Sequence, residues 1–192
     1  VASISHFPVP NLEDLDDDVR EQILAARERM GFIPNVYLAL AHRPEEFRAF
    51  FAYRNAVMER DGGLSKVERE MIVVATSVTV NCTYCVVSHG AMLRLRSGEP
   101  VLADKIAIDY RHAPLSARQR GMLDYAVKLS RRPQEVGEVD RQALIDLGFE
   151  REDIWDISSV VAFFALSNRM VHALGLVPND EFFEFARSKS VT

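Results

Sequence analysis

The chain has 192 residues, 48% hydrophobic and 27% charged, with a formal net charge of −5. That is enough for one domain with a substantial core and a squeeze for two. The acidic balance, with no basic block or stripe, argues against nucleic acid and anionic membrane as partners, and two cysteines are too few for a disulfide scaffold.

Taken in chain order, the spacing predicts helices almost throughout. The N-terminus, VASISHFPVPNLEDLDDD, has no basic region followed by an apolar one, so no secretory signal is expected. No apolar run approaches the roughly 20 residues of a membrane span, and the expected location is cytoplasmic. The acidic run Glu13 to Asp18 reads as a solvated helix start. DDDVREQILAARERM begins acidic and ends basic before Gly31, as the helix dipole prefers. Pro34 opens a short helix over NVYLALA. Pro44 opens EEFRAFFAYRNAVMER, where Phe47, Phe50, Phe51 and Val57 form one stripe and Asp61-Gly62-Gly63 ends it. Ser65 and Glu68 make a capping box for the next helix. Asn81 is a break or N-cap before a helix from Cys82 to Ser97, stopped by Gly98. Further helices are expected over 101–110, 117–131, 141–147 and 151–174, with Gly175 ending the last of these, and a final one near Asn179 and Asp180. A strand over MIVVATSVTV is the competing reading. It is set aside because helix caps flank the run and no hairpin turn surrounds it.

A faint internal repeat supports one helical unit used twice. LSKVEREMIVVA begins at Leu64 and LSARQRGMLDYA at Leu115, an offset of 51 that aligns Glu68 with Gln119. Glu70 aligns with Gly121, and Pro133 and Val136 stand where the cysteines would be, so polar chemistry is expected only in the first copy. The expected fold class is all-α, as a single domain over 1–192: N-terminal helices over 1–62, the first copy over 63–111, and the degenerate second copy with C-terminal helices over 112–192.

The first copy holds EMIVVATSVTVNCTYCVVSH, from Glu70 to His89, with both cysteines of the chain. On a helix Cys82, Cys85 and His89 share one face. Cys85 and His89 lie about 6 Å apart along the axis, and Cys82 and His89 about 10 Å. His89 is thus in reach of the Cys85 thiol, directly or through one water, and a helix hairpin brings Glu70 back beside His89 to orient it. Tyr84, between the cysteines, either donates a phenol hydrogen bond or shields the site. The constellation suits peroxide reduction: a thiolate attacks the O–O bond and becomes a sulfenic acid, and the second thiol closes a disulfide that an outside dithiol resets. The imidazole favours Cys85 as the attacker; the helix N-terminus favours Cys82. Cys85 is preferred, because a positioned base also handles the proton of the departing hydroxide. A metal site from Cys82, Cys85, His89 and Glu70 is disfavoured, since one straight helix spreads these ligands too far; neither metal nor cofactor is expected.

Glu70 followed by Cys82-Thr-Tyr-Cys85-Val-Val-Ser-His89, preceded by LSKVERE, resembles the alkylhydroperoxidase D-like group of the carboxymuconolactone decarboxylase superfamily. The stretches MGFIPNVYLALAHRPEEFRAF, LDYAVKLSRRP, ALIDLGFEREDIWDI and NRMVHALGL resemble its longer, peroxidase-related members. The resemblance implies an alkylhydroperoxidase D-like helical bundle, homo-oligomeric assembly and thiol peroxidase activity. It makes Cys85 peroxidatic, Cys82 resolving, and Glu70 and His89 a proton relay. The substrate would be hydrogen peroxide or a small organic hydroperoxide, and the reductant a dihydrolipoamide- or thioredoxin-like dithiol. The best-studied subfamily has a histidine directly before the second cysteine, where this chain has Tyr84. Two alternatives stand beside this: a decarboxylase of lactone ring products, which needs no cysteine pair, and a non-enzymatic redox sensor or docking subunit.

Other residues are weighed more briefly. Asn168, Arg169 and His172 interrupt an apolar helix and either line a substrate pocket or tie helices together. Trp155, Phe163, Phe164 and Leu166 read as core or subunit interface. Phe182, Phe183 and Phe185 read as a docked tail, and His6, His42 and His112 as surface residues.

Overall fold

The computed structural model describes residues 3–187, and among these there is no strand. The helices are α1 (Asp17–Met30), α2 (Asn35–Leu40), α3 (Pro44–Met58), α4 (Lys66–Val78), α5 (Thr83–Ser97), α6 (Leu102–Asp109), α7 (Ala117–Arg131), α8 (Glu138–Asp146), α9 (Arg151–Leu174) and α10 (Glu181–Glu184). Three single 3-10 turns, Leu12–Asp14, Tyr110–His112 and Pro133–Glu135, complete them.

Local chemistry sets the starts and stops. The Ser65 hydroxyl accepts from the Glu68 N–H at 3.2 Å, and the Glu68 carboxylate accepts from the Ser65 N–H at 2.9 Å. In the second copy Ser116 and Gln119 repeat the arrangement, both bonds at 3.1 Å. Each box satisfies two otherwise orphaned N–H groups, worth about 1 kcal/mol. Arg118 of α7 bonds Glu68, so the two starts are also tied to each other. Gly31, Gly98 and Gly175 end α1, α5 and α9 in the left-handed region. Gly121, opposite Glu70 in the repeat, is where Leu147 lies against the α7 backbone. Pro133 and Val136 fall in and just after a 3-10 turn, so the second copy has no counterpart of α5's first turn.

The largest core cluster joins α4, α7 and α9, with α6 closing one side. Helix α4 is its centre: every residue from Glu68 to Ser77 is buried. Such a helix reads as a continuous apolar run rather than a stripe, which is why a strand competes at the sequence level. Helix α9, 24 residues long, is long and apolar enough to cross a membrane by length and composition alone, with a mean hydropathy of 1.3 over an 18-residue window. Here it packs on α3, α4, α7 and α8 of the same chain. Its Asp156 carboxylate takes a bond from the fully buried Arg69 of α4 at 2.6 Å, and Arg69 also donates to the Val57 carbonyl at 2.8 Å.

A second cluster holds both cysteines, Tyr84, Val171 and Phe182, and a third joins α1 to α3 through Val19, Ile23, Phe47 and Phe51. Between them runs the C-terminal segment that follows α9. Asn179 accepts from the Asn35 N–H at 2.7 Å and donates to the Ile33 carbonyl at 2.9 Å. Buried Arg94 of α5 donates to the carbonyls of Phe182 and Phe185 at 2.7 and 2.9 Å. Phe182 is thereby pressed edge-on against Phe32, ring centres 5.0 Å apart, and Phe185 packs partly buried beside it, while Phe183 stays exposed. The expected final helix near 179–180 is only the single turn α10.

Some expectations shift by physical detail. Helix α5 starts at Thr83, with Cys82 as its N-cap and Asn81 in the left-handed region at φ 53°. Asparagine tolerates that conformation, so Asn81 serves as the break and not as the cap. Helix α8 starts at Glu138, three residues before the expected 141. Phe163 and Phe164 are core residues, whereas Trp155 is 70% exposed and Leu166 lies at the surface.

Candidate active site

The site is built on the α4–α5 hairpin. The turn between the helices is tight, with the Cys82 N–H donating to the Ser77 carbonyl at 3.0 Å. It folds α5 back along α4, so Glu70 faces His89 across the pair. His89 Nδ1 lies 2.7 Å from Glu70 Oε2. The carboxylate accepts, so Nδ1 carries the proton and Nε2 is the nitrogen turned away from it. The ring also meets Phe164 of α9 edge-on at 4.6 Å. Glu70 is fully buried, and its second oxygen lies 3.5 Å from Arg96 Nε, an ion pair too long for a strong hydrogen bond. Arg96 in turn donates to Glu59 at 2.8 Å, and Arg54 lies 3.0 Å from that carboxylate.

Both cysteines are free thiols, buried one turn apart. The neighbouring Cys85 thiol pulls Cys82 down to about 7; burial opposes the shift, while the Cys85 N–H and the nearby His172 support it. The neighbouring Cys82, with burial, pushes Cys85 well up, against the pull of the Ser167 and Ser77 hydroxyls. The two thiols therefore titrate as a pair, with Cys82 the more easily ionised. A pH titration of thiolate ultraviolet absorbance is expected to rise with pH, reaching the midpoint of its first step near 7. Cys85→Ala removes the S–H donor and is expected to move that midpoint upward. An unchanged midpoint would show that the neighbouring thiol does not set it.

Access separates the two thiols. A cavity of about 680 Å³ is lined by Cys85, His89, Tyr84 and Ser88, while Cys82 does not reach its wall. Its apolar wall comes from α1–α3, α9 and the C-terminal segment, through residues such as Met30, Phe51, Phe163 and Phe182. Of the two expected arrangements, a direct bond between His89 and Cys85 is not present among the described residues: the imidazole is held by Glu70, and the thiol lies beside Cys82. The two meet only as neighbours on the cavity wall, and a proton passing between them needs a group in the cavity. Tyr84 does not donate its phenol to the site. It accepts from the Val36 N–H at 3.0 Å, and burial pushes its pKa up.

Asn168, Arg169 and His172 do not line the cavity. Asn168 accepts from the Ser77 hydroxyl at 3.1 Å, His172 Nε2 lies 2.9 Å from the Val80 carbonyl, and Arg169 bonds its own helix at Ala165. The first two tie α9 to α4 and to the α4–α5 turn, which is the helix-tying reading of these residues.

The same architecture recurs in known proteins. The family model for carboxymuconolactone decarboxylase matches residues 44–101, which span α3, α4 and α5. A crystal structure of an alkylhydroperoxidase D core, an uncharacterised peroxidase-related protein from Ralstonia eutropha, superposes with a TM-score of 0.96 at 54% identity, covering 98% of this chain and 99% of that one. The chain belongs to the alkylhydroperoxidase D-like group of the carboxymuconolactone decarboxylase superfamily. A second peroxidase-related protein, from a Silicibacter species, matches this alkylhydroperoxidase D-like chain at 40% identity and a TM-score of 0.92, over 97% of each. The debrominase Bmp8 shares the fold at 16% identity and a TM-score of 0.75, over 95% of each. No curated protein matches the chain.

Two features of this alkylhydroperoxidase D-like site escaped the sequence reading. Ser88, only 7% exposed, sits on the cavity wall with its hydroxyl unpartnered, although a helical serine ordinarily bonds the carbonyl one turn back. Arg96 keeps one guanidinium nitrogen buried and unpartnered as well. Of the four such orphaned side-chain atoms among the described residues, three belong to Glu70, Ser88 and Arg96. Unsatisfied buried polar groups mark places kept for something other than packing. The signal for Arg96 was its place seven residues after His89, on the same helix face.

Proposed function

We propose that this protein is a thiol-dependent peroxidase in which Cys85 is the attacking sulfur and Cys82 the resolving one. The observation that carries the reading is that Cys85 opens on the cavity beside His89, while Cys82 is sealed behind it and already beside it.

Cys85 passes its proton to the neighbouring Cys82 sulfur, which starts as the thiolate, and attacks the terminal oxygen of ROOH. A sulfur–oxygen bond forms, the O–O bond breaks, and two electrons leave the sulfur. The departing alkoxide takes a proton from the Nε2 of a protonated His89, which Glu70 orients from the Nδ1 side. The Cys82 sulfur then attacks the Cys85 sulfenic acid; the S–S bond forms, the S–O bond breaks, and water leaves with the Cys82 proton. An external dithiol reduces the disulfide by exchange, regenerating both thiols, and the proton Cys82 then releases returns to His89 through solvent to restore the starting state. In a reducing compartment such as the cytoplasm the dithiol is the resting form.

A cavity of about 680 Å³ is much larger than hydrogen peroxide needs, which favours an organic hydroperoxide. The test is a stopped-flow assay of hydroperoxide consumption with a panel of dithiol donors, dihydrolipoamide and thioredoxin included. Sustained turnover with at least one donor is expected. Cys82→Ser is expected to consume one equivalent and stop, with sulfenic acid on Cys85 seen by mass spectrometry. Absence of any peroxide-dependent oxidation in the wild type would end the proposal. A lactone decarboxylase, which the family model also admits, predicts activity retained in a Cys82→Ser, Cys85→Ser double variant.

A further inference from the structure

The cavity wall is apolar and aromatic, yet it includes three arginines, one from each of α1, α3 and α5: Arg29, Arg54 and Arg96. In a chain of net charge −5 this local excess of positive charge stands out. Glu59 is the carboxylate on the same wall, and it is shared by Arg54 and Arg96. Glu70 is engaged by His89 at 2.7 Å and, more distantly, by Arg96 at 3.5 Å. Arg29 makes no ion pair among the described residues and is exposed, and Arg96 holds a buried nitrogen with no acceptor. Three guanidiniums against the carboxylates of Glu59 and Glu70 leave Arg29 unmatched and one Arg96 nitrogen without an acceptor beside an apolar chamber. Guanidinium forks are suited to a carboxylate, which they hold bidentately.

Resting on the peroxidase reading, we infer that the substrate is an organic hydroperoxide that also carries a carboxylate. Its apolar or aromatic body fills the cavity, its peroxide end reaches Cys85, and its carboxylate is taken by the arginines, with Arg29 as the unpaired member. Electrostatic attraction at the wall then favours acids over neutral hydroperoxides of the same shape, and salt weakens the preference.

Para-carboxy cumene hydroperoxide and its methyl ester differ in charge and little else, and they are the probes of choice. At low ionic strength the wild type is expected to oxidise with the acid about tenfold faster in kcat/KM than with the ester, a gap that shrinks in molar salt. Arg29→Gln, at an exposed position, is expected to lower kcat/KM for the acid about fivefold, as one exposed charge contact allows, and to leave the ester unchanged. Equal rates for acid and ester in the wild type overturn the inference while leaving the peroxidase reading standing. So does an acid preference that Arg29→Gln does not reduce. If neither probe oxidises the wild type, the peroxidase reading has failed, and this inference with it.

Discussion

Cys85→Ser is expected to bring hydroperoxide consumption down to background, a loss on the order of a thousandfold or more, as removal of a nucleophile usually gives. Two forces compete over which sulfur attacks. Charge favours Cys82, whose thiol is drawn down to about 7 by the S–H of its neighbour. Access favours Cys85, which lines the cavity while Cys82 is fully buried. Access is expected to win, because the attacking atom must come within about 3–3.5 Å of the oxygen whatever its charge, and the cavity wall includes Cys85 and not Cys82. Serine is close to cysteine in size, so folding is expected to survive, which circular dichroism melting would check. Peroxide titration followed by mass spectrometry gives the sharper readout. Sulfenic acid accumulating on Cys82 in the Cys85→Ser variant would reverse the two roles.

The second large effect concerns stability. Asp156→Ala is expected to cost about 3–5 kcal/mol, because it strands the guanidinium of Arg69, fully buried, without its carboxylate. For a chain of this size each kcal/mol moves the melting temperature by roughly 2–4 °C, so a drop on the order of 10 °C is the expected result. Arg60, partly exposed and 3.4 Å from the same carboxylate, loses its partner too, at little cost because water reaches it. The paired change Arg69→Met with Asp156→Leu is expected to recover most of the loss, since two apolar side chains leave no charge to strand. A single Asp156→Ala variant melting within a degree or two of the wild type would show that the α4–α9 pair contributes little.

The parts of the fold that were legible in the sequence are those written locally. Capping boxes at Ser65 and Ser116 announced α4 and α7, and glycines at 31, 98 and 175 announced three helix ends. The spacing from Glu70 to His89 suggested a hairpin, and the 2.7 Å contact between them is what such a hairpin produces. What the sequence hid depends on distant pairings. Nothing local marks the pairing of Arg69 with Asp156, because 87 residues separate them. The cavity wall draws on α1, α3, α9 and the C-terminal segment, none of which carries a local mark of that use. The polarity of the thiol pair was hidden for another reason. It depends on which sulfur donates to which, and helix spacing alone does not decide that.

The bonds from Arg94 to the carbonyls of Phe182 and Phe185 have a consequence for biosynthesis. Some 88 residues separate Arg94 from Phe182, so a ribosome has finished both thiols and the imidazole well before it delivers the piece that walls them in. Until that piece docks, the nascent chain carries its reactive sulfurs without their shelter. Oxidant stress during translation is therefore expected to strike newly made chains before it strikes the mature protein.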